Sequence, residues 1–109
     1  MAGNSDQVDV TIANGGTNST MVNATGYQFF SIFVPAAFTG TTLTFQVSND
    51  GGSFVGLRDL TGTAKTALTV AAGQAYACPD ELKYFPYFRV VSGSAEAAAR
   101  TLSVWCKQP

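Results

Sequence analysis

The chain has 109 residues, of which 46% are hydrophobic, enough for one folded domain with a real core. Only 12% are charged, against a usual ~25%. Seven acids and six bases leave a net charge of −1, no basic run exists, and no apolar stretch approaches a membrane span. Binding to nucleic acid or to an anionic membrane by strong electrostatics is therefore not expected.

In chain order, residues 1–9 are polar and unpatterned and read as a loose N-terminal arm. "MAGNSDQVDV" has neither the basic nor the apolar region of an export signal, so a chain kept in the cytosol, or packed into something assembled there, is expected. Val8, Val10 and Ile12 alternate with Asp9 and Thr11, as in a short strand. "GGTNST" interrupts it. "GYQFFSIFVP" is apolar on both faces: Phe30, Ile32 and Val34 on one, Tyr27, Phe29 and Phe33 on the other. The second face requires either internal cover or a partner.

"LTFQVSNDGGSFVGL" reads as a β-hairpin, with Leu43, Phe45 and Val47 on one face and Asn49-Asp50-Gly51-Gly52 as turn residues. A two- or four-residue loop sets Val47 opposite Phe54. A three-residue loop with Gly52 left-handed sets Val47 opposite Val55 and Phe45 opposite Leu57, which pairs apolar side chains better. "RDLTGT" is a further turn. Leu68 and Val70 share a strand face before Ala71-Ala72-Gly73 turns the chain. "PDELKYF" suits a single helical turn, with Pro79 at its first position, Asp80 and Glu81 at the positive end and Lys83 at the other. Phe88 and Val90 define another strand. "SAEAAAR" is too short for an independent helix and reads as a connection. In "RTLSVWCK", Leu102, Val104 and Cys106 oppose Thr101, Ser103 and Trp105.

About seven or eight short strands at ~8–12 residue spacing, without a helix-length periodic segment, predict an all-β fold. The expectation is a single antiparallel β-sandwich over residues 1–109, jelly-roll or Greek-key, with 13–26 and 76–85 crossing between sheets. Cys78 and Cys106 read as small buried hydrophobes rather than a disulfide.

Little points to catalysis. The chain has no histidine, which removes the commonest general base and most transition-metal sites. No phosphate loop or zinc spacing is present. Asp50 reads as a turn former. Asp59 with Asp50 or Glu96 would make a glycosidase pair only by tertiary accident. No enzyme activity, metal or cofactor is expected. Aromatic residues are the richer signal. Phe85, Phe88 and Trp105 read first as core, while Tyr84, Phe85 and Tyr87 cluster around Pro86 as a candidate contact surface.

"FTGTTLTFQVSNDGGSFVGLRDLTG" and "TVAAGQAYACPDELKYFPYFRVVSGSAEAAARTLSVWCK" resemble small tailed-phage virion proteins of the capsid decoration or cement type. The resemblance spans about residues 26 to 107. It implies a short β-sandwich that binds the outside of the shell and stabilises it, with the major capsid protein of the same phage as partner. It offers no catalytic residues. On this reading the protein sits on the capsid exterior after assembly in the host cytoplasm. A symmetric homo-oligomer is expected from use at symmetric lattice positions, a trimer being one form. Tyr27, Phe29 and Phe33 are the first candidates for the self- or capsid-contact face, and Tyr84, Phe85 and Tyr87 the second. The alternatives are a carbohydrate-binding module stacking sugars on Tyr84, Tyr87 and Trp105, or a tail or head-fibre component.

Overall fold

A computed structural model describes residues 5–65 and 67–108 of the chain. Among the described residues, nine strands form two antiparallel sheets: β1 Ser5–Ile12, β2 Val22–Asn23, β3 Phe29–Phe33, β4 Thr42–Ser48, β5 Val55–Gly56, β6 Leu68–Thr69, β7 Ala75–Ala77, β8 Tyr87–Ser92 and β9 Arg100–Lys107. Sheet A has the order β1-β9-β3-β7, and sheet B the order β2-β8-β4-β5. β6 also pairs with β4, at Thr42 and Leu43, whereas β5 pairs with it at Gln46 and Val47. β5 and β6 thus act as two halves of one strand, interrupted by the 57–67 excursion.

From β1 to β4 the chain alternates between sheets, and it does so again from β6 to β9. This double Greek-key winding makes the sandwich a jelly roll. Segments 13–26 and 76–85 cross between sheets as expected. The second carries a 3-10 helix, Asp80–Tyr84, with Pro79 just before it rather than inside it.

Alternation dictates the core. Val10, Ile12, Phe30, Ile32, Leu102 and Val104 of sheet A are buried against Leu43, Phe45, Val47, Phe88 and Val90 of sheet B. Phe88 joins the layers, meeting Phe30 edge-on at 5.2 Å between centroids and Phe45 at 6.3 Å. Burying such a ring contributes roughly 1.5–3 kcal/mol.

Three expectations need correction. Residues 5–9 are not an arm: β1 starts at Ser5 and pairs with β9 over its whole length, from Ser5↔Lys107 to Ile12↔Arg100. Its polar side chains hid a strand whose outer face meets water; residues 1–4 of that arm lie outside the described residues. In the hairpin, Val47 does face Val55, but pairing stops there and the connection is longer than three residues. Its left-handed residue is Gly51 (φ 77°), not Gly52. Asp50 builds this turn, its carboxylate accepting from the N–H groups of Gly52 (2.8 Å) and Ser53 (3.0 Å) and from the Ser48 hydroxyl (2.9 Å). Trp105, read first as core, stands on the outer face of sheet A.

The cysteines are free. Cys106 pairs with Phe30, and the Cys78 N–H donates to the Phe30 carbonyl at 3.0 Å. The two therefore flank one strand, roughly 10 Å apart, beyond the ~7 Å a disulfide tolerates. Burial, then the neighbouring Cys106, push the Cys78 thiol up to about 12. Burial and Asp6 push Cys106 to about 11.

One end of the sandwich is tied by Glu96, whose side chain is fully buried. Its carboxylate accepts from the Thr39 N–H (3.0 Å), the Thr39 hydroxyl (2.9 Å) and Arg100 Nε (2.9 Å). Its backbone bonds Gly15 and Gly16. Three loops are therefore pinned to one residue.

Candidate binding face

The residues expected to carry contacts separate into three places. Phe29 and Phe33 lie on the outer face of sheet A, 53% and 48% exposed. Directly paired residues share a face, so the register gives the surface row by row. Ser5, Lys107 and Phe29 form the first row; Gln7, Trp105, Ser31 and Ala77 the second; Asp9, Ser103, Phe33 and Ala75 the third. Trp105 lies diagonally between the two phenylalanines, at ~7–8 Å from each in Cα position. Ser5, Ser31, Phe33, Trp105 and Lys107 line a shallow depression of about 330 Å³.

This face has two halves. Over β3, β7 and Trp105 it is aromatic and small-apolar. Over β1 it is polar and internally bonded: Gln7 Nε2 donates to Asp9 (2.9 Å) and Ser103 (3.2 Å), and the Ser103 hydroxyl donates to Asp9 (3.1 Å). Asp9 stands in the third row and Lys107 in the first, so the ends of the face carry opposite charges.

Tyr27 does not join it. The chain turns at Ala24–Tyr27, where the Tyr27 N–H donates to the Ala24 carbonyl and Gly26 is left-handed. Strand parity starts only after that turn. Tyr27 packs on the core and its hydroxyl donates to Asp6, which shares the inner face with Cys106.

The second cluster is split. Tyr84 is 69% exposed, at the end of the 3-10 helix. Phe85 is half-buried and packs on the core. With Val47, Val55 and Leu57 it lines an apolar cavity of about 400 Å³ beside β5. Leu60, 97% exposed, joins Tyr84 and Phe85 around an adjoining depression. Tyr87 belongs to the outer face of sheet B, beside the Gly51 turn. That face mixes polar and apolar groups: Arg89 Nε donates to Gln46 at 2.7 Å while its guanidinium lies 4.4 Å from the Phe54 ring centroid, and Met21 lies beside the same turn. Tyr84, Tyr87 and Trp105 thus occupy three surfaces, and the sugar-stacking row that the carbohydrate-binding alternative requires does not form.

Asp50, Asp59 and Glu81 are each engaged by neighbouring groups. Backbone N–H groups of Ser53 and Gly52, with the Ser48 hydroxyl, hold Asp50 below the usual carboxylate range. The Thr61 hydroxyl and the Thr63 N–H do the same for Asp59 in its own turn. Glu81 pairs with Lys65 at 2.7 Å. Among the described residues, no group of His, Cys, Asp and Glu is placed to hold a metal ion.

No family model matches the chain, and no curated protein matches its sequence. Its fold is similar to that of the SPBc2 prophage-derived protein YomS, with a TM-score of 0.60 over 96% of both chains at 10% identity. A cupin domain from Bordetella pertussis Tohama I is also similar, with a TM-score of 0.47 over 96% of this chain and 82% of the other, at 10% identity. At such identities the likeness is one of fold.

Proposed function

We propose that this protein is a structural component of a tailed-phage particle: a decoration protein that binds the outside of the capsid and stabilises it. Its direct partners are the major capsid protein and other copies of itself. The observation that carries this reading is the aromatic half of sheet A's outer face. Phe29 and Phe33 stay exposed there, with the half-buried Trp105 between them, outside the buried layer that joins the two sheets. A second apolar surface, around Leu60, Tyr84 and Val55, lies at the β5 edge. Two separate adhesive surfaces suit a molecule that must hold both a shell and its own neighbours. Low charge removes repulsion between densely packed copies, and repetition over a lattice multiplies weak contacts. The fold shared with a prophage-derived protein supports a place in a phage particle. No catalytic step is assigned, since Asp50, Asp59, Glu81 and Glu96 already serve turns or ion pairs.

The test is to mix the purified protein with undecorated particles and image them. Saturable, ordered density on the shell is expected, and Leu60→Asp is expected to weaken it while leaving the fold intact. Absence of ordered density at saturating protein would overturn the assignment.

Trp105 beside the hydrogen-bonding Gln7, Asp9 and Ser103 supports a second reading, a carbohydrate site. A glycan array with a specific, Trp105-dependent hit would favour it.

A further inference from the structure

The outer face of sheet A has a pattern that fits itself. Take the second row, which contains Trp105 and Ser31, as an axis. Phe29 then stands one row to one side on β3 and Phe33 one row to the other side on the same strand. Lys107 on β9 and Asp9 on β1 likewise stand on opposite sides of it. Turning a second copy over about that axis lays its Phe33 on Phe29, its Trp105 on Trp105, and its Lys107 within one strand spacing of Asp9.

We propose that this face binds a second copy of the chain through a two-fold axis along the Trp105–Ser31 row, with Phe29 on Phe33 and Lys107 beside Asp9 in both directions. A two-fold contact requires this reciprocity, each position meeting its counterpart twice. Two sheets stacked face to face at ~10 Å, with strands near −30°, is a standard packing. Strands of eight, eight, five and three residues, ~4.8 Å apart and rising ~3.4 Å per residue, give a flat footprint of roughly 400 Å² per copy. The pair thus covers roughly 800 Å², short of the ~1,000 Å² of a stable specific interface, so the contact is a weak one of the kind that repetition over a lattice multiplies. The rings sit at the centre, where anchors belong, and the charges at the rim, where they set register more than affinity.

This deepens the reading above and rests on its claim that the sheet A face is adhesive. Its test is made without particles, so it can fail while shell binding stands. Sedimentation of the full chain is expected to show a concentration-dependent dimer. Phe33→Asp, checked for folding by circular dichroism, is expected to raise the dissociation constant by ~10-fold or more. Asp9→Lys and Lys107→Asp singly are each expected to weaken pairing by about 5-fold, and the two together to restore it. Restoration separates contact across the interface from damage to Asp9's own bonds with Gln7 and Ser103. Ser31→Cys is expected to cross-link copies with a bismaleimide matched to the ~10 Å spacing of stacked sheets, because the native thiols are buried and weakly acidic. A monomer at the highest soluble concentration would overturn the proposal. So would an oligomer that is indifferent to Phe33→Asp, an unrestored double swap, or an oligomer that resists cross-linking at position 31.

Discussion

Replacing Glu96 by alanine removes three acceptor contacts at once and leaves their donors behind. The Thr39 N–H, the Thr39 hydroxyl and the Arg100 guanidinium all lose their partner. Breaking a buried ion pair by deleting one member typically costs ~3–5 kcal/mol. The low end applies, because Arg100 keeps 16% of its side chain accessible and can recover some hydration. A loss of about 3 kcal/mol is a large fraction of the ~5–15 kcal/mol of a typical domain. For a chain of this size it lowers Tm by roughly 12–24 °C. Urea unfolding of both proteins measures the loss directly. Hydrogen exchange adds a local test: the Thr39 amide should lose protection while Gly15, bonded to the Glu96 backbone, keeps it. The stabilisation also depends on pH. Burial pushes the Glu96 carboxyl up, but the Thr39 N–H, Arg100 and the Thr39 hydroxyl outweigh it and leave the carboxyl below its ordinary value of 4.5. The unfolded chain therefore takes up the proton first. The contribution is fully present above the ordinary value and disappears as pH falls through the folded value. The gap between wild type and Glu96→Gln should accordingly be constant at neutral pH and close in acid. A loss below ~1 kcal/mol for Glu96→Ala, the size of an exposed pair, would refute the anchoring role.

Phe88→Ala removes the ring that joins the two sheets and is expected to cost ~3–5 kcal/mol in urea unfolding; a loss near 1 kcal/mol would mean that Phe30 and Phe45 collapse into the space. Neither native cysteine should react with a thiol reagent at pH 8 in the folded protein, since the thiols are raised to about 12 and about 11; both should react in denaturant, with no mass change on prior reduction. Tyr84→Ala is expected to leave stability unchanged and to lower binding to undecorated particles, measured by co-sedimentation; unchanged binding would remove Tyr84 from the shell contact.

The polar and apolar alternation of this chain determined most of its strands and its inner face. Ile32, Leu43, Phe88, Val90, Leu102 and Val104 all point inward as their parity requires, because a side chain's face follows directly from its position along a strand. The turn chemistry of Asp50 was legible for a similar reason: an Asx carboxylate bonds amides within three residues of itself. Parity could also announce that Phe29 and Phe33 oppose Phe30 and Ile32. It could not reveal whether anything covers them, because cover comes from elsewhere in the chain. Three features depended on tertiary structure alone. β1 begins at Ser5 because β9 offers it a ladder, and backbone pairing needs no apolar signature. Glu96 became an anchor because jelly-roll winding brings the 13–16, 38–40 and 94–99 loops to one end. Trp105 joined Phe29 and Phe33 because β9 lies beside β3, a neighbour distant in sequence; the register of that pair, which no local property encodes, turned three scattered rings into one surface.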